Sequence, residues 1–256
     1  MRNFEPERAL VKVGAVLLVA GAVLGIVANL IHPAMPRGAP VGSVAHSQAV
    51  LDLVAGSDFW LADHLAIVVA ASLVLGGLVA LTRSLSGEWG SPLAQLGLAM
   101  GSIALTVTCV EMAIDGLGLR FVADAWASAP AGDKPAALYA AHAVNRLGSG
   151  LATVSGVTLG ATFVFYGLAV AMSSAYPRSL GWIGAAAGLV AVANGLLGRF
   201  SPLGSIPLGI PVAVLILWAL VMGLLLWRRA AAATHPADAR HGLKGAPPTS
   251  PGEQPV

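Results

Sequence analysis

The segment WLADHLAIVVAASLVLGGLVAL, Trp60 to Leu81, decides the fold. Beyond Asp63 and His64 it carries no charge before Leu81 and shows no polar face at helical spacing. About 20 mostly apolar residues, at roughly 1.5 Å each, cross the hydrocarbon core of a bilayer. A helix that is apolar all round needs an apolar solvent. This segment therefore predicts a membrane-spanning helix.

The same criterion applied outward gives six spans: Ala9–Ile31, Phe59–Leu81, Pro92–Met112, Leu147–Ala171, Leu180–Leu197 and Ile206–Trp227. Composition agrees, because 57% of the 256 residues are hydrophobic and only 10% are charged. Soluble domains carry roughly 25% charged residues, so a water-facing surface could not be covered here. The expected fold is an all-α, polytopic transmembrane bundle of six helices over residues 1–229. The remainder, 230–256, rich in Ala, Pro and Gly and without apolar periodicity, reads as a disordered tail. Its His235 and His241 are read as solvated.

The first run is longer than the roughly 7–15-residue core of a cleaved leader, and Glu5 and Glu7 interrupt its basic start. It reads as a retained helix. Cys109 is the single cysteine, which excludes an intramolecular disulfide and a cysteine-based zinc site.

Lysine and arginine near helix ends mark the cytoplasmic side. With the N-terminus inside, Arg2, Arg8, Lys12, Arg83, Arg178, Arg228, Arg229, Arg240 and Lys244 are cytoplasmic. Arg37, Arg120, Lys134, Arg146 and Arg199 are external, so the 14 basic residues divide nine to five. Both termini are expected in the cytoplasm. Trp60 at an outer end and Trp89, Trp182 and Trp227 at inner ends suit an interfacial aromatic belt. A net charge of +2 is too small a basic footprint for nucleic acid. The expected partners are the lipid bilayer and other membrane subunits.

Glycines at four-residue spacing (Gly21 and Gly25, Gly97 and Gly101, Gly156 and Gly160, Gly184 and Gly188) let helix backbones approach closely. The outer segments VAHSQAVLDLVAG and LRFVADAWASAP mix apolar residues with sparse charge, which suits short interfacial helices capping the outer mouth.

The strongest polar groups gather at the outer ends of the helices. Asn29 and His32 lie on the first, Asp63 and His64 on the second, Glu111 and Asp115 on the third. His142, Asn145 and Arg146 lie on the fourth, Asn194 and Arg199 on the fifth. Thr108, Glu111 and Asp115 fall on one helical face, as do His142, Asn145 and Ser149. Ionisable groups in a bundle face its interior or a wet cavity. The candidate site is therefore His64, Glu111, Asp115, His142, Asn145 and Arg146, with Arg146 as counter-charge.

Three functional readings remain open. The layer can be a salt-bridge network in a non-catalytic membrane subunit or accessory protein, which needs the fewest assumptions. It can bind a cofactor, with His64 and His142 ligating a haem iron or a divalent metal beside the carboxylates. It can also serve a small-molecule or proton-coupled transporter. No CxxCH, HExxH, phosphate loop or GxSxG elbow occurs, so no enzymatic chemistry is indicated.

Two segments, YPRSLGWIGAAAGLVAVANGLL and the opening WLADHLAIVVAASLVLGGLVAL, resemble the late and second helices of six-helix bacterial integral membrane proteins of unknown function. The likeness extends in layout over the membrane part. It implies the six-helix fold, and it brings no activity or site residue with it. The Ala- and Gly-rich composition suits a GC-rich bacterial genome and hence a bacterial cytoplasmic membrane.

Overall fold

A computed structural model describes residues 5–36, 38–197 and 209–232. All its regular structure is helical: α1 (Glu5–Ile31), α2 (Val44–Ala55), α3 (Trp60–Ser84), α4 (Ser91–Met112), α5 (Leu119–Ser128), α6 (Lys134–Ala171), α7 (Arg178–Leu197) and α8 (Gly209–Ala232). Six helical stretches are long and apolar enough to cross a membrane. α8 runs on past Trp227, so the expected break at residue 230 is not a helix end. The tail beyond Ala232, like Arg2, Arg37, Arg199, His235 and His241, lies outside the described residues.

The spanning helices close into a ring in chain order. α1 packs on α3, α3 on α4, α4 on α6, α6 on α7 and α7 on α8, and α8 returns to α1. The glycine spacings supply the close seams. A Cβ at Gly160 would sit 2.6 Å from the carbonyl oxygen of Gly188, and one at Gly188 would sit 2.6 Å from that of Gly160. Gly21 lets α1 press against the backbone of Ala70 and Val74 on α3. Outward-facing Leu65, Val69, Leu189 and Leu217 are exposed. So wide an apolar belt is one that lipid covers.

At one end of the ring a cap is built from α2, α5 and the first turns of α6. Ser43 starts α2 as its N-cap, its hydroxyl accepting from the His46 N–H at 3.1 Å. Arg120 donates to the carbonyls of Val54 and Ser57 at 3.2 and 2.9 Å, tying α5 to the end of α2. Val50, Leu51, Val54, Trp60, Leu119, Ala123 and Ala141 form the buried core of this cap. The 38 residues of α6 reach about 57 Å, well beyond a roughly 30 Å hydrocarbon core, so its first third belongs to the cap.

Two expectations are corrected here. The third span does not stop at Met112, because α4 and α5 form one continuous helical rod joined by a π-helical segment, Ala113–Gly118. Trp60 is not a belt residue: it is fully buried, and its indole points into the cap. Trp89, Trp182 and Trp227, at the other end, are exposed.

At that uncapped end, where both described termini lie, the loops are clamped together. Glu88 accepts from the main-chain N–H of Ser174 at 3.0 Å and from its hydroxyl. Arg229 donates to the carbonyl of Ala175 at 2.7 Å and stacks over the Tyr176 ring.

Candidate functional site

The polar layer resolves into two clusters and a cavity. The first cluster joins the end of α1, the start of α3 and the π segment. Asp63 is buried, with 1% exposure, and accepts from Nδ1 of His32 through Oδ2 at 2.5 Å. Its other oxygen, Oδ1, is also buried and has no hydrogen-bond partner among the described residues. His64, 2% exposed, donates from Nδ1 to the carbonyl of Trp60 at 2.7 Å, one turn back on the same helix. Its Nε2 lies 3.4 Å from Oδ2 of Asp115. The Trp60 ring stacks on His64 with centroids 4.4 Å apart and approaches His32 at 5.7 Å. His32 and Asp115 are part-exposed, at 29% and 27%, and form the rim.

The π segment places Asp115. A π turn inserts extra backbone and is frequent at functional sites. Here it turns Asp115 toward His64 and brings Gly116 onto it: a Cβ at Gly116 would lie 2.7 Å from Cβ of His64.

The cavity lies inside the ring, has a volume of about 250 Å³, and is walled by α1, α3, α4, α6 and α8. Ala70, Ala104, Leu78, Leu215 and Ile216 are typical of its lining. Its polar groups are few: Asn29, Thr108, Glu111, Ser155 and Thr162. Thr108 and Ser155 are hydrogen-bonded to one another at 3.1 Å. Among the described residues, Glu111 is the sole ionisable side chain in this lining.

The second cluster sits in the cap. Ser47 hydrogen-bonds Nδ1 of His142 at 2.8 Å and accepts from the amide of Asn145 at 3.0 Å. These contacts hold α2 to α6. Arg146 reaches the turn at Gly42, and no ion pair joins it to Glu111 among the described residues. Arg120, the other cation near the layer, pairs with Asp124.

Of the six expected site residues, the structure thus joins His64 to Asp115 and puts Glu111 in the cavity. His142, Asn145 and Arg146 serve the cap. Among the described residues no hydrogen bond or ring contact links His142 to His64, the pair considered for haem. His32 and Asp63, which the sequence places in the polar layer but not among the six candidates, belong to the His64 cluster. The available signal was Trp60, Asp63 and His64 at i, i+3 and i+4, one face of a helix turn.

Comparison of the chain with protein-family models, with curated proteins and with solved structures returns no match.

Proposed function

We propose that this chain is a non-catalytic, multi-pass membrane protein that binds a small amphiphilic molecule in the cavity of its helix ring, as an accessory protein or carrier. The carrying observation is the cavity itself, an apolar chamber of about 250 Å³ with one carboxylic acid, Glu111, among four neutral polar groups. A cavity of about 150 Å³ holds benzene, and drug-sized sites begin near 300 Å³, so the ligand falls between. Apolar walls take a short hydrocarbon body. Glu111, Asn29, Thr108 and Ser155 take a single polar end, and a carboxylate favours a cationic or hydrogen-donating one.

The same reading places the chain in a bacterial cytoplasmic membrane, among the six-helix membrane proteins it resembles, with the uncapped end inside. The charges support that orientation: Arg8, Lys12, Arg83, Arg178, Arg228 and Arg229 lie at the uncapped end, against Arg120, Lys134 and Arg146 at the capped one.

The test is binding of octylamine and of octanol to the full chain in lipid nanodiscs, followed by displacement of an environment-sensitive alkylamine probe. Saturable binding is expected, with the amine weakened at least tenfold by Glu111→Gln and the alcohol less affected. Ala104→Phe, which fills the cavity, should abolish both. Probe binding that ignores both substitutions sinks the reading.

A further inference from the structure

We propose that His32, Asp63 and His64 bind a divalent transition-metal ion of the zinc type, with Asp115 orienting His64. The site is separate from the cavity, and its assignment does not rest on ligand binding there.

Geometry is the first support. His32, Asp63 and His64 each place one ligating atom within 4.8 Å of the others. Bound to a tetrahedral ion at about 2.0–2.1 Å, such atoms lie roughly 3.4 Å apart. Closing the cluster onto an ion therefore takes movements of about an ångström. Nδ1 of His64 is 4.0 Å from Oδ2 of Asp63 and its Nε2 faces Asp115, so metal binding exchanges the Nδ1 hydrogen bond to the Trp60 carbonyl for the ion and moves the proton to Nε2. A metal-bound histidine commonly donates its other ring N–H to a carboxylate, which fixes the ring. Asp115 stands in that position.

Charge is the second support. Asp63 and Asp115 bring two carboxylates to a region that no lysine or arginine reaches among the described residues, since Arg120 is engaged by Asp124, Val54 and Ser57. A buried carboxylate without a counter-charge is strongly disfavoured. Two neutral imidazoles, two carboxylates and one divalent ion sum to zero.

The orphaned oxygen is the third support. Among the described residues, Oδ1 of Asp63 is buried and has no donor, although such an atom normally finds one. Its lone pairs are free for a cation. Imidazole nitrogen with carboxylate oxygen suits zinc and its transition-metal neighbours, whereas calcium and magnesium favour all-oxygen shells. Trp60 braces both imidazole rings, which keeps the donors in place.

The experiment measures Zn²⁺ uptake by the full chain in nanodiscs, purified with a non-histidine tag and stripped with chelator, with Co²⁺ absorption as a second readout. One zinc per chain is expected, with a zinc-dependent rise in Tm. His32→Ala and Asp63→Asn should each weaken binding 10–100-fold. Asp63→Asn also separates this assignment from a purely structural ion pair. Its zinc-induced rise in Tm should disappear. A structural pair predicts no zinc effect in either protein. Uptake must survive the double substitution His235→Ala, His241→Ala in the tail. Absence of uptake by the wild type, uptake unchanged by both site variants, or uptake lost in the tail variant overturns the assignment.

Discussion

The indole Nε1 of Trp60 donates to the main-chain carbonyl of Asp115 at 3.0 Å. One hydrogen bond thereby ties the first turn of α3 to the π segment between α4 and α5. The ring that makes it is also stacked on His64. Anchor and site share a side chain.

Trp60→Phe keeps an aromatic ring and removes the donor. The carbonyl of Asp115 loses its partner, which should lower stability by about 1 kcal/mol. Hydrogen exchange should rise across 113–128 and stay unchanged in α7. Equal exchange in both regions would mean that the bond does not anchor the rod.

Gly116→Ala should destabilise by about 1–3 kcal/mol, the usual range for forcing extra volume into a packed site. Its Cβ meets Cβ of His64 at 2.7 Å, whereas a Cβ at Gly118 has nothing nearer than 3.5 Å. Gly118→Ala is thus the matched control. Thermal unfolding of the two variants should differ clearly, and zinc affinity should fall only in the first.

At the α6–α7 seam, Gly188→Ala drives a Cβ against the Gly160 carbonyl and the Val164 main-chain nitrogen, at 2.6 and 2.7 Å. Backbone cannot swing aside, so a loss of about 1–3 kcal/mol is expected. Gly25→Ala meets its nearest neighbour, a flexible Ile216 methyl, at 3.5 Å and should be neutral. Detergent-resistance melting of the two variants checks the contrast.

The Glu88 clamp should respond to acid. The main-chain N–H and then the hydroxyl of Ser174 hold its carboxyl below the ordinary carboxylate value. A lowered folded-state value means that the contribution is present above the ordinary range and is lost as pH falls through the lowered one. Below about pH 4.3, the ordinary value for Glu, the loop holding Ser174 should loosen, by a small amount because the carboxylate faces solvent. Hydrogen exchange at Ser174 as a function of pH should show this, and Glu88→Gln should remove the dependence.

Much of the fold is legible in the six apolar runs, because lipid imposes a length and a composition on every span. The continuous α4–α5 rod is not. The segment AIDGLG holds two glycines that read as a break, and only packing against His64 and Trp60 turns it into a π turn. The depth of the polar layer is legible for the same reason as the spans: charge is expelled from the midplane. Which members meet is not, since Glu111 and Asp115 are one turn apart yet reach different places. Helix rotation decides that Glu111 enters the cavity and Asp115 finds His64. Trp60 shows the limit in another way. An aromatic residue at a span end reads as a lipid anchor, and only the folding of α2 and α5 over it makes it core.

The ring of helices has an order of assembly written into it. The seams of the ring join spanning helices that are neighbours along the chain, except where α8 packs on α1 and also touches α3. Each helix can therefore dock on its predecessor as it emerges. The chamber keeps an open side toward lipid until α8 arrives with Val212, Leu215, Ile216 and Ala219 to wall it. The chamber closes only when α8 docks, and a chain cut short before residue 209 should expose an open groove for membrane quality control to recognise.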